Sequence, residues 1–229
     1  MMDVRTGCKC SECIFKSVSA DDFPELANIC KIATIKKYYK GSEIIAEGEP
    51  IKAFINLRSG LLKLYKHYND DQDQIIRIAR PDNCIGLLSV FSDDKYHYSI
   101  SAVENSEVCF IEMDAVRALI KQNGAFALHI LERMSKTTDD IIKTNLEISK
   151  KNLRGRIAYI MLYFSREVYN SASFELPLSR QEIAELIEMT SENVIRIISE
   201  FAKDKILKVK RKNIEILDIN KLQKICDLG

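Results

Sequence analysis

Two clusters of residues in this 229-residue chain have types and spacings that could do chemistry. The first is Cys8, Cys10 and Cys13, written C-x-C-x-x-C. Thiolates so closely spaced can converge on one ion, so the run points to a metal or iron–sulfur site. The alternative is ordinary reduced thiols, with Cys84 and Cys109 buried as small hydrophobes. The second cluster lies in "SRQEIAELIEMTSENVIRIISEF", residues 179–201. Ser179 and Glu182 have the spacing of a capping box, and Ile183, Ala184 and Ile187 mark one apolar face of a helix. Thr190 or Ser191 then caps a second helix. Val194, Ile197, Ile198 and Phe201 recur at helical spacing, leaving Glu192, Asn193, Ile195, Arg196 and Ser199 on the other side. This is the layout of a helix-turn-helix, in which a supporting helix is buried and the next presents its N-terminal face to a DNA major groove. A plain helical hairpin, with Glu192 and Arg196 as a solvated i, i+4 pair, is the competing reading.

The elements that would position these residues follow from the rest of the chain. Net charge is only +1, but residues 150–229 hold 15 Lys and Arg against 11 Asp and Glu, which makes the rest of the chain acidic. A mildly basic C-terminal third suits local phosphate contact. The chain has no signal peptide and no apolar run long enough for a membrane, so the expected location is cytoplasmic, with no membrane partner and no disulfide framework. Residues 1–20 read as a cysteine-bearing arm, and 21–33 as a short helix within the next domain. From about 34 to 112, short β-branched and aromatic runs are separated by Gly and Pro, which predicts an all-β roll or barrel over a domain spanning 21–125. A long helix follows, 126–150. Ala127, Leu131, Met134, Thr138, Ile141, Asn145 and Ile148 step by 4 and 3, so Leu131, Met134, Thr138, Ile141, Asn145 and Ile148 are the candidate homodimer seam. Packing of this helix on its own roll is the alternative. Residues 151–229 form the last domain. There "ILKVKRKNIEILD" reads as a β-hairpin directly after the second helix of the pair. This wing carries Lys210, Arg211 and Lys212 at its tip. The fold class is therefore α+β: a β-roll, a long helix and a winged helix-turn-helix.

This order of parts resembles the Crp–Fnr family of bacterial transcription regulators. The carriers are "KGSEIIAEGE", "LRSGLLKLY", "RGRIAYIMLYFS" and "LSRQEIAELIEMTSENVIRIISEF", which together touch nearly the whole chain. The resemblance implies a double-stranded β-helix of the cyclic-nucleotide-binding kind, a dimerisation helix and sequence-specific binding of double-stranded DNA. It implies that Glu192 and Arg196 read base edges, with Ser191 and Ile195 beside them. The chemistry is suitable, because Arg bonds bidentately to guanine O6 and N7 and Glu accepts from cytosine N4. Ser179, Arg180, Lys210, Arg211 and Lys212 are then the residues for the DNA backbone. A two-fold dimer implies a palindromic operator, and an activator of this type would also meet RNA polymerase. The family's turn usually holds Gly where this chain has Glu188, which predicts a positive φ at a non-Gly residue.

The effector pocket of the family's cAMP-binding members departs further. Gly86 is kept, Leu87 replaces the Glu of the Gly-Glu-Leu run, and His97 or Tyr98 stands where an Arg holds the phosphate. An anionic phosphate without its Arg is poorly held, so cAMP is not the expected effector. The fumarate–nitrate branch implies another: an iron–sulfur cluster on Cys8, Cys10, Cys13 and Cys109, although C-x-C-x-x-C is tighter than that branch's spacing. The cofactor thus stays open. A sensor module whose C-terminal domain binds protein instead of DNA is the reading from another class. No P-loop, Rossmann fingerprint, Gly-x-Ser-x-Gly or paired-His metalloprotease motif is present, so no enzyme is expected.

Overall fold

The structure is a computed structural model, and it describes residues 4–6, 31, 33–69, 72–81 and 89–229. It divides into two compact units, residues 1–141 and 142–229. The boundary falls inside the long helix.

The first unit is built on two four-stranded antiparallel sheets. One has the order β1 (Val4–Thr6), β2 (Thr34–Tyr38), β8 (Ser106–Glu112), β4 (Ala53–Ser59). The other has the order β3 (Glu43–Ile45), β7 (Ser99–Ala102), β5 (Leu62–Asn69), β6 (Gln72–Ala79). Phe54, Ile55, Leu57, Leu62, Leu64, Ile100, Val108, Cys109 and Ile111 form a closed apolar core between them. The predicted roll is therefore present, with short strands broken at tight turns. Gly60 shows why one turn needs glycine: its φ is +86°, and a Cβ there would lie 2.3 Å from Ser106 Oγ.

Helix α1 (Met113–Gln122) lays Met113, Val116 and Leu119 on the roll at i, i+3 spacing. Asn123 then starts the long helix α2 (Gly124–Ser149), its Oδ1 accepting from Phe126 N–H at 3.0 Å. Phe126 and Ile130 are buried in the roll core, and Met134 packs against it. Arg77 on β6 donates to the Thr137 carbonyl at 3.2 Å and pairs with Asp140 at 3.5 Å.

The helix carries two apolar stripes about one residue apart, and the sequence-defined seam samples both. Leu131, Thr138 and Asn145 are exposed, Ile141 is half-buried and Ile148 is buried. The large apolar side chains left in water are Leu128, Leu131, Ile142 and Leu146. Periodicity gives the spacing of a stripe but not which stripe the chain covers itself.

The second unit continues from α2 into α3 (Leu153–Tyr163), capped by Asn152, whose side chain accepts from Gly155 N–H at 3.0 Å. A single π-turn, Phe164–Val168, ends α3. Then come β9 (Ser173–Glu175), α4 (Arg180–Ile187), α5 (Ser191–Lys203), β10 (Leu207–Lys210), β11 (Asn213–Ile216) and α6 (Ile219–Leu228). The wing is a three-stranded sheet, β10-β11-β9. Sequence reading did not find α6, whose only buried positions are Leu222 and Cys226. It packs along α3, and Gly155 permits this approach: a Cβ there would lie 2.9 Å from Gly229 Cα.

Candidate nucleic-acid interface

The helix pair forms where its residues predict. Ser179 Oγ accepts from Glu182 N–H at 3.1 Å, and Glu182 Oε2 accepts from Ser179 N–H at 2.8 Å, closing the capping box of α4. Ile183, Ala184 and Ile187 are buried below it. Thr190 caps α5, its hydroxyl accepting from Asn193 N–H at 3.4 Å. Val194, Ile197, Ile198 and Phe201 are all at most 3% exposed, so α5 is fixed to the domain by one complete face. Glu192, Ile195, Arg196 and Ser199 are exposed on the opposite side, with Ser191 half-buried at its start.

The turn between the helices is held in an unusual way. Glu188 has φ 53° and ψ 59°, the left-handed conformation expected from the missing Gly. The end of α4 leaves carbonyls without helical partners. Arg156 on α3 satisfies them: Nη1 donates to Ile187 O at 2.9 Å and to Glu188 O at 3.1 Å. Its Nε donates to Lys151 O at 3.0 Å, in the connection between α2 and α3. One guanidinium therefore ties that connection to the turn of the helix pair. Sequence reading missed this residue, because the contact spans 31 positions and only the Arg-Gly-Arg run hints at it.

Electrostatics on the exposed face are asymmetric. Its own amide N–H and the Thr190 hydroxyl hold the Glu192 carboxyl below the usual carboxylate range, so it is an anion and an acceptor at neutral pH. Arg196 does not pair with Glu192, as the solvated-pair reading would require. It is held by other partners, with Nη1 donating to Glu200 Oε1 at 2.6 Å and Nη2 to Asn193 Oδ1 at 3.1 Å. Burial lowers the pKa of Arg180, the first residue of α4, from the ordinary guanidinium value. A guanidinium remains charged under such conditions and is well served by an anion at a helix N-terminus. At the wing, Lys210, Arg211 and Lys212 are exposed, and Arg211 turns the hairpin with φ 59°. Lys208 and Glu215 pair across the wing strands at 2.8 Å.

The structure thus brings Ser179, Arg180, Ser191, Glu192, Ile195, Arg196 and the wing tip into one unit. The other candidates belong to the roll. His97 Nε2 lies 2.9 Å from Asp93 Oδ2, Tyr98 packs partly against the roll core, and Gly86 and Leu87 lie outside the described residues. Cys109 is fully buried in the core, and Cys8, Cys10 and Cys13 lie outside the described residues. Among the described residues no three His, Cys, Asp or Glu side chains are grouped to hold a metal ion, and no helix is long and apolar enough to cross a membrane.

Comparison with known proteins agrees with both units. Residues 35–123 match the cyclic nucleotide-binding domain family, and residues 155–225 match the Crp-like helix-turn-helix domain family. The chain is 27% identical over 210 residues to the transcriptional activator protein Anr of Pseudomonas aeruginosa, covering 90% of this chain and 85% of that one. It is 26% identical over 221 residues to the fumarate and nitrate reduction regulatory protein of Vibrio cholerae, covering 95% and 87%. In fold it resembles FixK2 from Bradyrhizobium japonicum, with a TM-score of 0.75 at 22% identity over 85% of this chain and 97% of that one. The two relatives matched in sequence are named as a transcriptional activator and a regulatory protein, not as enzymes. The chain belongs to the Crp–Fnr family of transcription regulators.

Proposed function

We propose that the protein works as a homodimeric, cytoplasmic regulator that reads a palindromic operator through α5. The observation that carries this reading is the exposed edge of α5. Glu192, Ile195 and Arg196 offer an acceptor, an apolar contact and a planar donor fork on a helix whose other face is wholly buried. These match cytosine N4, a thymine methyl and guanine O6/N7. Ser191 stands beside them, while Ser179, Arg180, Lys210, Arg211 and Lys212 supply contacts to the phosphates and fix the register. Exposed Leu128, Leu131, Ile142 and Leu146, with Thr138 and Asn145 between them, support pairing of α2 with a second copy. RNA polymerase is a partner if the protein activates.

The test uses a duplex selected by the protein from a randomised pool, with binding followed by fluorescence anisotropy. Arg196→Ala should cost about 1–3 kcal/mol and relax preference at one base pair. Equal loss on every sequence would refute base reading. Affinity that ignores salt would favour a protein partner over DNA.

For the effector, the roll supports something other than cAMP. His97 or Tyr98 stands where the family's phosphate-binding Arg would be; His97 faces Asp93, and a carboxylate there opposes a phosphate. A second reading, an oxygen or redox sensor with an iron–sulfur cluster, has its own support. The names of the relatives from Vibrio cholerae and Yersinia pestis speak of fumarate and nitrate reduction. Strand β1 pairs with β2 in the sheet that carries Cys109: Arg5 lies opposite Ile35, and Ile35 opposite Cys109. The chain therefore leaves β1 at Thr6, two residues before Cys8, about two strand spacings from the Cys109 row. Cys109 fits as a sulfur donor only if thiols of the arm reach its enclosed position. A cluster held this way would supply an oxygen-labile redox centre. Iron and acid-labile sulfide, assayed after purification without oxygen and again for Cys109→Ser, test it. Loss of both in the variant supports the cluster, and their absence from the wild-type protein refutes it.

A further inference from the structure

Arg196 is one member of a relay that crosses from α3 to α5. Glu200, one turn after Arg196, spends one carboxylate oxygen on Arg196 Nη1, at 2.6 Å. Its other oxygen accepts from Arg154 Nη1, on the first turn of α3. Arg154 is itself fixed: Nη2 donates to Asp204 Oδ2 at 3.3 Å, and the guanidinium stands over the Phe201 ring at 4.9 Å. Phe201 is fully buried, so this stacking anchors the relay to the domain core. Every member lies in the same compact unit.

The physical consequences are specific. Arg has a long side chain, and ordering it on binding costs entropy. Glu200 and Asn193 already hold both Nη atoms of Arg196, and two of its five N–H groups are committed, which leaves three for a base edge. A bare carboxylate beside DNA would repel phosphate and compete with guanine for Arg196. Arg154 counters both effects by sharing the Glu200 charge. The pair thus orients Arg196 without capturing it.

We infer that Glu200, bridged to α3 by Arg154, is a positioning residue that sets the base preference of Arg196. This inference rests on the base-reading role proposed above for Arg196. Its sequence signal is small: a carboxylate four residues after an exposed Arg, and a second Arg 46 positions earlier.

The experiment measures affinity for the pool-selected duplex and for copies in which each G·C pair is replaced in turn. Glu200→Gln keeps the shape and removes the charge. Discrimination at the base pair read by Arg196 should fall about three- to tenfold, the scale for groups in direct contact. Affinity for unrelated duplex should stay equal or rise, because an acidic group has left the interface. Arg154→Ala should lower discrimination at the same base pair, by freeing Glu200 to compete for Arg196. In an Arg196→Ala background, Glu200→Gln should have no further effect on discrimination. Far-UV circular dichroism confirms that each variant is folded, and Arg154→Lys serves if the alanine variant is not. An unchanged ratio in Glu200→Gln, or the same loss with and without Arg196, would overturn the positioning role while base reading stands. If Arg196→Ala itself leaves every base preference intact, the base-reading proposal falls instead.

Discussion

Removing the Arg156 side chain should destabilise the DNA-binding unit far more than removing most half-exposed arginines. Arg156→Ala deletes three hydrogen bonds at once, to Lys151 O, Ile187 O and Glu188 O. A hydrogen bond from a charged donor contributes about 1.5–3 kcal/mol at best, and partial exposure reduces each of them. Water can replace the guanidinium only in part, because Ile187 is a buried residue. The net loss should be about 2–3 kcal/mol, which at ordinary urea sensitivities lowers the midpoint by roughly 1–2 M. The chain contains no Trp, so far-UV circular dichroism is the appropriate readout. Arg156→Lys should recover less than half of the loss, since one ammonium cannot reproduce the planar fork. Glu188→Gly in the wild-type background should gain about 0.5–1 kcal/mol by relieving the left-handed Glu188. If Arg156→Ala unfolds within about 0.3 M urea of wild type, the guanidinium is not what holds the turn.

Other outcomes follow from the same geometry. Replacing Lys210, Arg211 and Lys212 by Ala should weaken binding to all duplexes alike and flatten the salt dependence by about one power per lost phosphate contact; a change confined to one sequence would contradict a backbone role. Leu131→Glu with Ile142→Glu should convert a dimer to monomer in analytical ultracentrifugation, since both side chains are more than half exposed on α2; an unchanged mass would exclude that stripe as the seam. Burial, and the Glu43 and Glu49 carboxylates, push Tyr65 and Tyr96 up to about 12 from an ordinary 10.0. The fold therefore favours the neutral phenols, a contribution fully present below pH 10 and lost as pH rises through 12. The roll should lose urea resistance in that window, and a Tyr65→Phe, Tyr96→Phe variant should lose less of it.

What could be read in advance was what neighbours in sequence decide. Capping pairs such as Ser179–Glu182, apolar spacings such as Val194–Ile197–Ile198–Phe201, and the turn at Arg211 are local. Each appears in the structure at the residues that predict it. The β-roll was legible as a class but not in its pairing, because β2 meets β8 and β3 meets β7 across long stretches of chain. The α2 seam was legible only as a period, since two stripes one residue apart give nearly the same pattern. Helix α6 escaped notice because two buried residues are too few to mark a face. The contacts of Arg154 and Arg156 were invisible for a different reason. Apart from Lys151, the hydrogen-bond partners are 31 to 50 positions away, and a lone Arg has no periodicity. The arm with Cys8, Cys10 and Cys13 lies outside the described residues, so its reading stands as proposed.

Each compact unit also contains a buried reduced thiol, Cys109 in the first and Cys226 in the second. A thiol shut in apolar surroundings reacts with an alkylating reagent only when the structure around it opens, and burial pushes the Cys226 thiol up, away from the reactive thiolate. Alkylation rates at the two sites, separated by peptide mass, would time the opening of the roll and of the DNA-binding unit independently in one unmodified protein. Adding operator DNA should then slow the Cys226 clock, and whether the Cys109 clock slows with it would show directly how far the grip on DNA is felt in the roll.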